Sequence, residues 1–194
     1  MDYTVDTIEL SPTLRVRIVP DNDVEAPDDD IFKITYSASS RYTLGTEGCN
    51  DERRDEIERG LADGSLIGWK VYAYVHSGAT IRMADTNPFH RPWDSGQSGV
   101  VYAKREDVKR EWGVGKSKRL TKEAMANVKG YAKGVVETFA SYLEGDVYGY
   151  IVEEVRVNGD DDVVVEKTLD SCWGFFGLDY AKSEARAAGE AHLH

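Results

Sequence analysis

The chain of 194 residues has little of what marks several specialised classes of protein. Its two cysteines, Cys49 and Cys172, are too few for a disulfide framework. No apolar run approaches the roughly 18 residues that a membrane-spanning helix needs. The first residues, 1–6, lack the basic and apolar regions of a signal peptide. We therefore expect a cytoplasmic protein that makes no contact with membranes.

Motifs for phosphate and metal binding are incomplete. The Gly-Lys-Ser at 115–117 resembles the end of a phosphate-binding loop, but Arg110 stands where that loop needs a glycine. The acidic stretch 21–32 resembles a calcium-binding loop, but Ala26 and Phe32 replace the required glycine and glutamate. The histidines and cysteines do not have the spacing of a zinc site. We expect no metal site and no cofactor.

What the sequence does contain is enough apolar material for a folded core. Hydrophobic residues make up 41% of the chain and aromatic residues 10%, which argues against wholesale disorder. The length is typical of one domain. We predict a single domain, 1–194, in which an acidic part (1–65) precedes a part that carries several motifs (66–180) and a C-terminal helix (179–191).

Apolar and polar residues alternate with a period of two in much of the chain, which is typical of half-buried strands. The clearest case is 66–76, which a Ser-Gly turn connects to 79–83. The stretch 84–98 is predicted to be a long loop. The predicted strands are 3–9, 14–18, 31–36, 66–76, 79–83, 99–103, 147–157 and 163–169.

One long helix is predicted at about 121–143, with Thr121 as its N-cap. The apolar residues expected to pack on the sheet recur every three or four positions: Met125, Val128, Ala132, Val135, Phe139 and Tyr142. Shorter helices are predicted at 51–63, 105–112 and 180–191, the first capped by Asn50 and the last by Asp179. The predicted fold class is α+β, a mainly antiparallel sheet packed by one long amphipathic helix with two or three shorter helices.

Charge is distributed unevenly along a chain whose net charge is −11. Residues 1–65 and 134–194 each carry −9, whereas 66–133 carries +7. The acidic segments suggest a surface that imitates nucleic acid, and the net charge favours this hypothesis over nucleic-acid binding. Direct binding through 104–133 is the opposite hypothesis, and an ordinary solvated surface is the third. The candidate nucleic-acid-binding residues are Lys104, Arg105, Lys109, Arg110, Lys116, Lys118 and Arg119.

The stretch 88–99 concentrates side chains that suit catalysis. His90, Asp94 and Cys172 are candidate catalytic residues, because a thiolate needs a nearby base and a group that orients that base. The opposing interpretation places Cys172 in the core, where most unpaired cysteines lie.

The same stretch offers groups that could hold a planar ligand by stacking. The opposing interpretation is that Arg91 and Trp93 anchor the loop against the sheet. The candidate ligand-binding residues are His90, Arg91, Trp93, Gln97 and Trp173.

Three short motifs carry a resemblance to known proteins. They are SGQSGVVY at 95–102, GDVYGY at 145–150 and DSCWGFFG at 170–177, with a helix between the first two. Together they resemble a group of uncharacterised small acidic proteins encoded by bacteriophages and mobile elements. The resemblance covers 68–180, and it implies a mobile-element origin and a protein made in the cytosol of the host cell.

These observations favour a non-catalytic function. We expect an accessory protein of a phage or mobile element that binds a host macromolecule, in the sharper form as an acidic nucleic-acid mimic directed at a host defence or DNA-handling protein. The first alternative is a nucleotide-binding or other small-molecule-binding protein, with enzymatic activity left open, that uses 88–99 and 170–177. The second is nucleic-acid binding through 104–133. A host protein is the expected partner, nucleic acid is the alternative partner, and the oligomeric state is left open.

Overall fold

The computed structural model describes residues 3–115, 118–159 and 162–193. In this part of the chain, four helices and nine strands form an α+β fold with two sheets, so the predicted fold class is confirmed. None of the described helices combines the length and the hydrophobicity needed to cross a membrane. The elements are β1 (Asp6–Ser11), β2 (Leu14–Pro20), β3 (Lys33–Ser37), β4 (Glu47–Cys49), α1 (Asp51–Asp63), β5 (Leu66–Val75), β6 (Ala79–Met83), β7 (Ser95–Lys104), α2 (Arg105–Glu111), α3 (Lys122–Glu144), β8 (Val147–Val157), β9 (Val163–Phe176) and α4 (Leu178–Glu190).

The chain forms two compact units, each with its own sheet. Unit 1 consists of 1–25 and 145–194, and unit 2 consists of 26–144. The expectation of one sheet packed by one long helix is therefore corrected to two sheets, because β1 and β2 pair with the distant β8 and β9. The division into a single domain with parts at 1–65, 66–180 and 179–191 stays a prediction.

Unit 1 is built on a four-stranded antiparallel sheet with the strand order β1-β2-β8-β9. The alternation along β2 buries Val16 and Ile18 beneath α4, which contributes Ala181 and Ala185 to the same core. Small residues bring the helix close to the sheet, since a Cβ atom on Gly189 would lie 2.5 Å from Cγ2 of Val16. The alanine-rich composition of α4 therefore serves packing as well as helix propensity.

Unit 2 is built on a five-stranded sheet with the strand order β4-β3-β7-β5-β6, in which β3 and β4 run parallel and the other pairs antiparallel. The long helix α3 covers one face, and its buried residues are Val128, Ala132, Val136 and Phe139. The shorter α1 lies on the opposite face, where the side chain of Tyr102 on β7 reaches Arg53. This sheet is thus covered on both faces.

Two helix predictions are confirmed in detail. Asn50 caps α1, because its side chain accepts a hydrogen bond from the backbone N–H of Arg53 at 2.8 Å, and Gly64 ends the helix with a left-handed backbone (φ 78°). Thr121 caps α3 by accepting from the backbone N–H of Ala124 at 3.0 Å. Both signals are local in sequence, which is why they could be recognised there.

Three boundaries differ from the prediction. The loop 84–98 is shorter than expected, because β7 already begins at Ser95 and pairs with β5. The strand predicted at 163–169 continues to Phe176, because its partner β8 begins at Val147 and the ladder extends with it. Asp179 does not cap α4, because the helix begins at Leu178, two residues earlier than predicted, and Asp179 lies in its first turn.

Candidate functional site

The division into units redistributes the charge of the chain. Unit 1 contains 17 acidic and 6 basic residues and carries the whole net charge of −11. Unit 2 contains 18 acidic and 18 basic residues and is neutral as a whole. The basic stretch belongs to unit 2, so any positive surface there is a local concentration.

Such a concentration lies where β7 continues into α2. Four of the seven predicted nucleic-acid-binding residues line one cavity of about 840 Å³: Lys104, Arg105, Lys109 and Arg110. Lys118 and Arg119 are exposed and do not line it, and Lys116 lies outside the described residues. The structure therefore brings together the part of the predicted set that flanks the strand-to-helix junction.

A second cavity of about 1000 Å³ adjoins the first, and Leu66 and Arg105 line both. Three further lysines line this second cavity: Lys70 of β5, and Lys122 and Lys129 of α3. We call the two cavities together the basic groove. Its other lining side chains include apolar residues of four elements, namely Leu61, Leu66, Ile67, Trp69, Val100, Met125 and Ala126.

The cations of the groove differ in how they are held. The Arg105 guanidinium donates to the backbone carbonyl of Gly64, and the Arg110 guanidinium pairs with Asp107 at 2.8 Å. Within the described part of the chain, no carboxylate pairs with Lys70 or Lys122, and both lysines are exposed. Lys104 of the first cavity is likewise exposed and pairs with no carboxylate among the described residues, so these three ammonium groups are the ones most available to a negatively charged ligand.

The floor of the groove contains a stretch of strand edge. β7 pairs with β5 from Leu66 to Tyr74, whereas β6 pairs with it only from Val71 to Val75. Beyond that ladder, a single hydrogen bond from the Ala84 N–H reaches the Lys70 carbonyl at 3.3 Å. In the described chain, β5 therefore has no neighbouring strand on this side between Leu66 and Lys70.

A smaller cavity of about 220 Å³ lies between α1 and the sheet of unit 2. Its lining includes Cys49 and Gln97, the latter a predicted ligand-binding residue. Burial raises the pKa of the Cys49 thiol, and the Glu47 carboxylate adds to this effect. A thiol that is held protonated in this way is a poor nucleophile.

Beside this cavity, three polar side chains connect α1 to the sheet. The Tyr102 hydroxyl donates to Glu47 at 2.5 Å, and the Arg53 guanidinium donates to both Tyr102 and Glu47, at 2.9 and 2.8 Å. Burial and the hydrogen bond to Glu47 raise the pKa of Tyr102 to about 12. The network holds the helix in place and leaves Tyr102 protonated at neutral pH.

The loop that carries His90 and Asp94 is anchored differently from the expectation. Trp93 is 97% exposed, so it does not anchor the loop against the sheet. Phe89 does so instead, with its ring 5.8 Å from that of Tyr74. Phe89 stands between Pro88 and His90 in the predicted loop, and only the turn of the loop reveals its inward direction.

The candidates on β9 are also placed differently from the expectation. Cys172 is exposed, so the interpretation as a core cysteine is wrong. Trp173 is 49% exposed, and its indole lies on Gly149, where a Cβ atom would approach Cε3 to 2.3 Å. Cys172 and Trp173 belong to unit 1, whereas the other candidate catalytic and ligand-binding residues, His90, Arg91, Trp93, Asp94 and Gln97, belong to unit 2. The hypotheses that combine the two sets stay predictions.

Comparisons with protein families, with curated proteins and with solved structures find no match to the chain. The resemblance to mobile-element proteins therefore stays a prediction. Among the described residues, no group of three or more His, Cys, Asp or Glu side chains is placed to hold a metal ion.

Proposed function

We propose that the protein is a non-catalytic binding protein, and that unit 2 holds an acidic segment of a partner protein in the basic groove. The observation that carries the proposal is the charge of the lining: seven cationic side chains face three acidic ones, although unit 2 as a whole is neutral. Such a concentration attracts carboxylates and accelerates encounter with an acidic partner.

The apolar part of the lining favours a protein over nucleic acid. Leu61 and Met125 offer surface to aliphatic side chains, which a phosphate backbone lacks. The aromatic ring of the groove, Trp69, packs against Phe32 with 6.3 Å between ring centroids and is half-buried, whereas proteins that bind single strands present exposed rings to the bases.

The hypothesis of acidic mimicry keeps its own support, because unit 1 carries all of the net charge. It makes a different prediction from the groove: neutralising acids of unit 1 would abolish capture of a DNA-binding partner, and groove variants would not. The mobile-element origin and a host protein as the partner belong to both proposals.

The groove is tested with a fluorescein-labelled peptide of about ten residues in which pairs of glutamates alternate with pairs of valines, so that each face of the extended peptide carries both kinds of side chain. Binding to the full chain is followed by fluorescence anisotropy. The double variant Lys70→Glu/Lys122→Glu reverses two of the unpaired ammonium groups, those of the second cavity, and we expect the Kd to rise about tenfold or more.

The matched control is Lys118→Glu/Lys133→Glu, which changes the net charge equally at exposed lysines that do not line the groove. We expect its Kd to stay within about twofold of the unmodified chain. Equal weakening by both double variants, or no binding of the peptide at all, would contradict the proposal. Displacement of the peptide by a short oligodeoxythymidylate at equal charge would favour nucleic acid as the ligand instead.

A further inference from the structure

The open strand edge in the floor of the groove points to how the partner is held. We infer that the acidic segment binds as an added β-strand, paired with β5 along Leu66–Lys70. This inference rests on the proposed function, since it describes the mode of binding in the same groove.

The backbone N–H and C=O groups of β5 point alternately toward β7 and toward the open side of the strand. The carbonyl of Lys70 accepts from Ala84, on the β6 side, whereas the carbonyl of Val71 accepts from the Ser98 hydroxyl, on the β7 side. Because N–H and C=O groups alternate between the two sides of a strand, the groups of Leu66 and Gly68 point away from β7. Both residues face the groove with a donor and an acceptor.

The outward N–H and C=O groups of Leu66 and Gly68 have no partner in the described chain. No described strand pairs with β5 at Leu66 or Gly68 on the outward side, and no described side chain donates to or accepts from their backbone groups. Main-chain polar groups are nearly always paired in a folded protein, by another strand or by water. A peptide strand would form backbone hydrogen bonds with both Leu66 and Gly68.

The open edge of β5 differs from the edge that β9 forms in unit 1. β9 is also an edge strand, but its pairing with β8 shifts register at three points. Its edge also carries charged residues of both signs, Glu166, Lys167 and Asp170. Bulges and charges are the usual means of preventing unwanted strand pairing. The open stretch of β5 pairs with β7 in unbroken register from Leu66 to Val71, so its geometry suits a further strand.

The walls of the groove define the chemistry of the occupant. Alternate side chains of an added strand point to opposite faces of the sheet. On one side stands α1 with Leu61, which approaches Gly68, and on the other stands α3 with Met125 and Lys122. Lys70 lies on the α1 side with Gly68, because side chains two positions apart share a face of the strand. An extended segment therefore matches this lining when it presents one carboxylate to Lys70 on that side, another to Lys122 on the α3 side, and aliphatic side chains beside them.

The direct test follows amide exchange by NMR in the full chain, with and without the same glutamate and valine peptide. We expect the Leu66 and Gly68 amides to exchange at least about tenfold more slowly when the peptide is bound. The Ile67 and Trp69 amides already face β7, so their exchange should not change. This pattern distinguishes a strand ladder from contact through side chains alone.

A matched pair of variants removes the ladder from the protein side. Leu66→Pro deletes an outward N–H at the first residue of the strand, where proline is tolerated. Leu66→Ala removes the same side chain and keeps the N–H. We expect Leu66→Pro to bind the peptide about tenfold more weakly than Leu66→Ala, and circular dichroism with thermal melting checks that both variants fold.

The outcomes separate this inference from the proposed function. Peptide binding that depends on Lys70 and Lys122, but leaves the exchange of the Leu66 and Gly68 amides unchanged, would overturn strand addition and keep the groove. Absence of any peptide binding would overturn both. If Leu66→Pro does not fold, the exchange experiment on the unmodified chain decides alone.

Discussion

The described part of unit 1 packs one helix on its sheet and that of unit 2 contains three helices, and the two units also carry charge in different ways. In unit 1 the acidic residues outnumber the basic ones by 17 to 6, whereas in unit 2 the two kinds are equal and the basic ones gather in the groove. The acidity of the whole chain is therefore a property of unit 1. It gives no guide to the surface that unit 2 presents to a ligand.

The units also differ in how they bury polar side chains. In unit 1, the carboxylate of Glu153 is 3% exposed and accepts from Arg15 at 2.9 Å and from Arg17 at 2.8 Å. Burial opposes its ionisation, but the hydrogen bonds from the two arginines outweigh burial and hold the pKa of Glu153 below its ordinary value. In unit 2, the corresponding network includes a neutral phenol, Tyr102, between Glu47 and Arg53. Because its network contains a buried charge, we expect unit 1 to lose more unfolding free energy than unit 2 when a side chain of the network is removed.

The largest effect is expected from Glu153→Ala. It leaves two arginines, each about one-sixth exposed, without their carboxylate, and removing one partner of a buried pair costs about 3–5 kcal/mol of unfolding free energy. Urea unfolding followed by circular dichroism measures the loss. The adjacent Glu154→Ala is the control, because Glu154 is exposed and should change stability by no more than about 0.5 kcal/mol.

The same pair predicts a pH dependence. Since the pKa of Glu153 is lowered in the folded chain, its stabilisation is present above the unfolded value of 4.5 and is lost as the pH falls through the folded value. The difference in stability between the unmodified chain and Glu153→Ala should therefore shrink below pH 4.5. A difference that stays constant down to pH 2 would contradict the ionised pair.

A backbone contact in unit 2 predicts the next effect. A Cβ atom on Gly99 would lie 1.9 Å from the carbonyl oxygen of Thr35, so β3 and β7 must separate to accept it. We expect Gly99→Ala to destabilise by about 3 kcal/mol, at the upper end for overpacking. Gly96→Ala, on the same strand with open space around it, should be near neutral in the same urea titration, and equal losses would refute the contact.

The close approach at Gly149 in unit 1 is expected to cost less, because its two shortest contacts are with a side chain and the backbone contact, with the Cys172 carbonyl oxygen, is longer at 2.9 Å. A Cβ atom on Gly149 would meet the half-exposed indole of Trp173, which can swing outward. We expect Gly149→Ala to cost about 1–2 kcal/mol. In a Trp173→Ala background the same substitution should cost less, and a double-mutant cycle measures the coupling. An additive cycle would show that the indole is not the obstacle.

How far the sequence predicts this fold depends on the range of each signal. The ends of α1 were predictable because Asn50 and Gly64 act on their own helix. The pairing of β2 with β8 was not, because Val16 and Val152 meet across more than a hundred intervening residues, and nothing in either strand specifies the partner. The separation into two compact units follows from that pairing.

The candidate site shows the same limit. The basic residues around α2 were found because they are adjacent in sequence. Lys70 was missed as a groove residue, since it joins them only through the pairing of β5 with β7, in which it lies opposite Val100. The edge itself has no sequence signature, because it exists where β6 ends. Alternation predicted each strand, but it does not tell which strand stops first.

The smallest loss of stability is expected in unit 2, at the network of Tyr102, Glu47 and Arg53. Tyr102→Phe removes the hydroxyl between Glu47 and Arg53 but leaves those two side chains paired at 2.8 Å, so the expected loss is about 1 kcal/mol.

Because the pKa of Tyr102 is raised from 10.0 to about 12 in the folded chain, its stabilisation is fully present below pH 10 and is lost between pH 10 and 12. The difference between the unmodified chain and Tyr102→Phe should thus be constant at neutral pH and shrink in alkali, opposite to the acid-side loss at Glu153. Tyr74→Phe, at a half-buried ring of the same sheet with no hydroxyl hydrogen bond among the described residues, is the control. If both phenylalanine variants follow the same alkaline profile, the network does not hold α1 on the sheet.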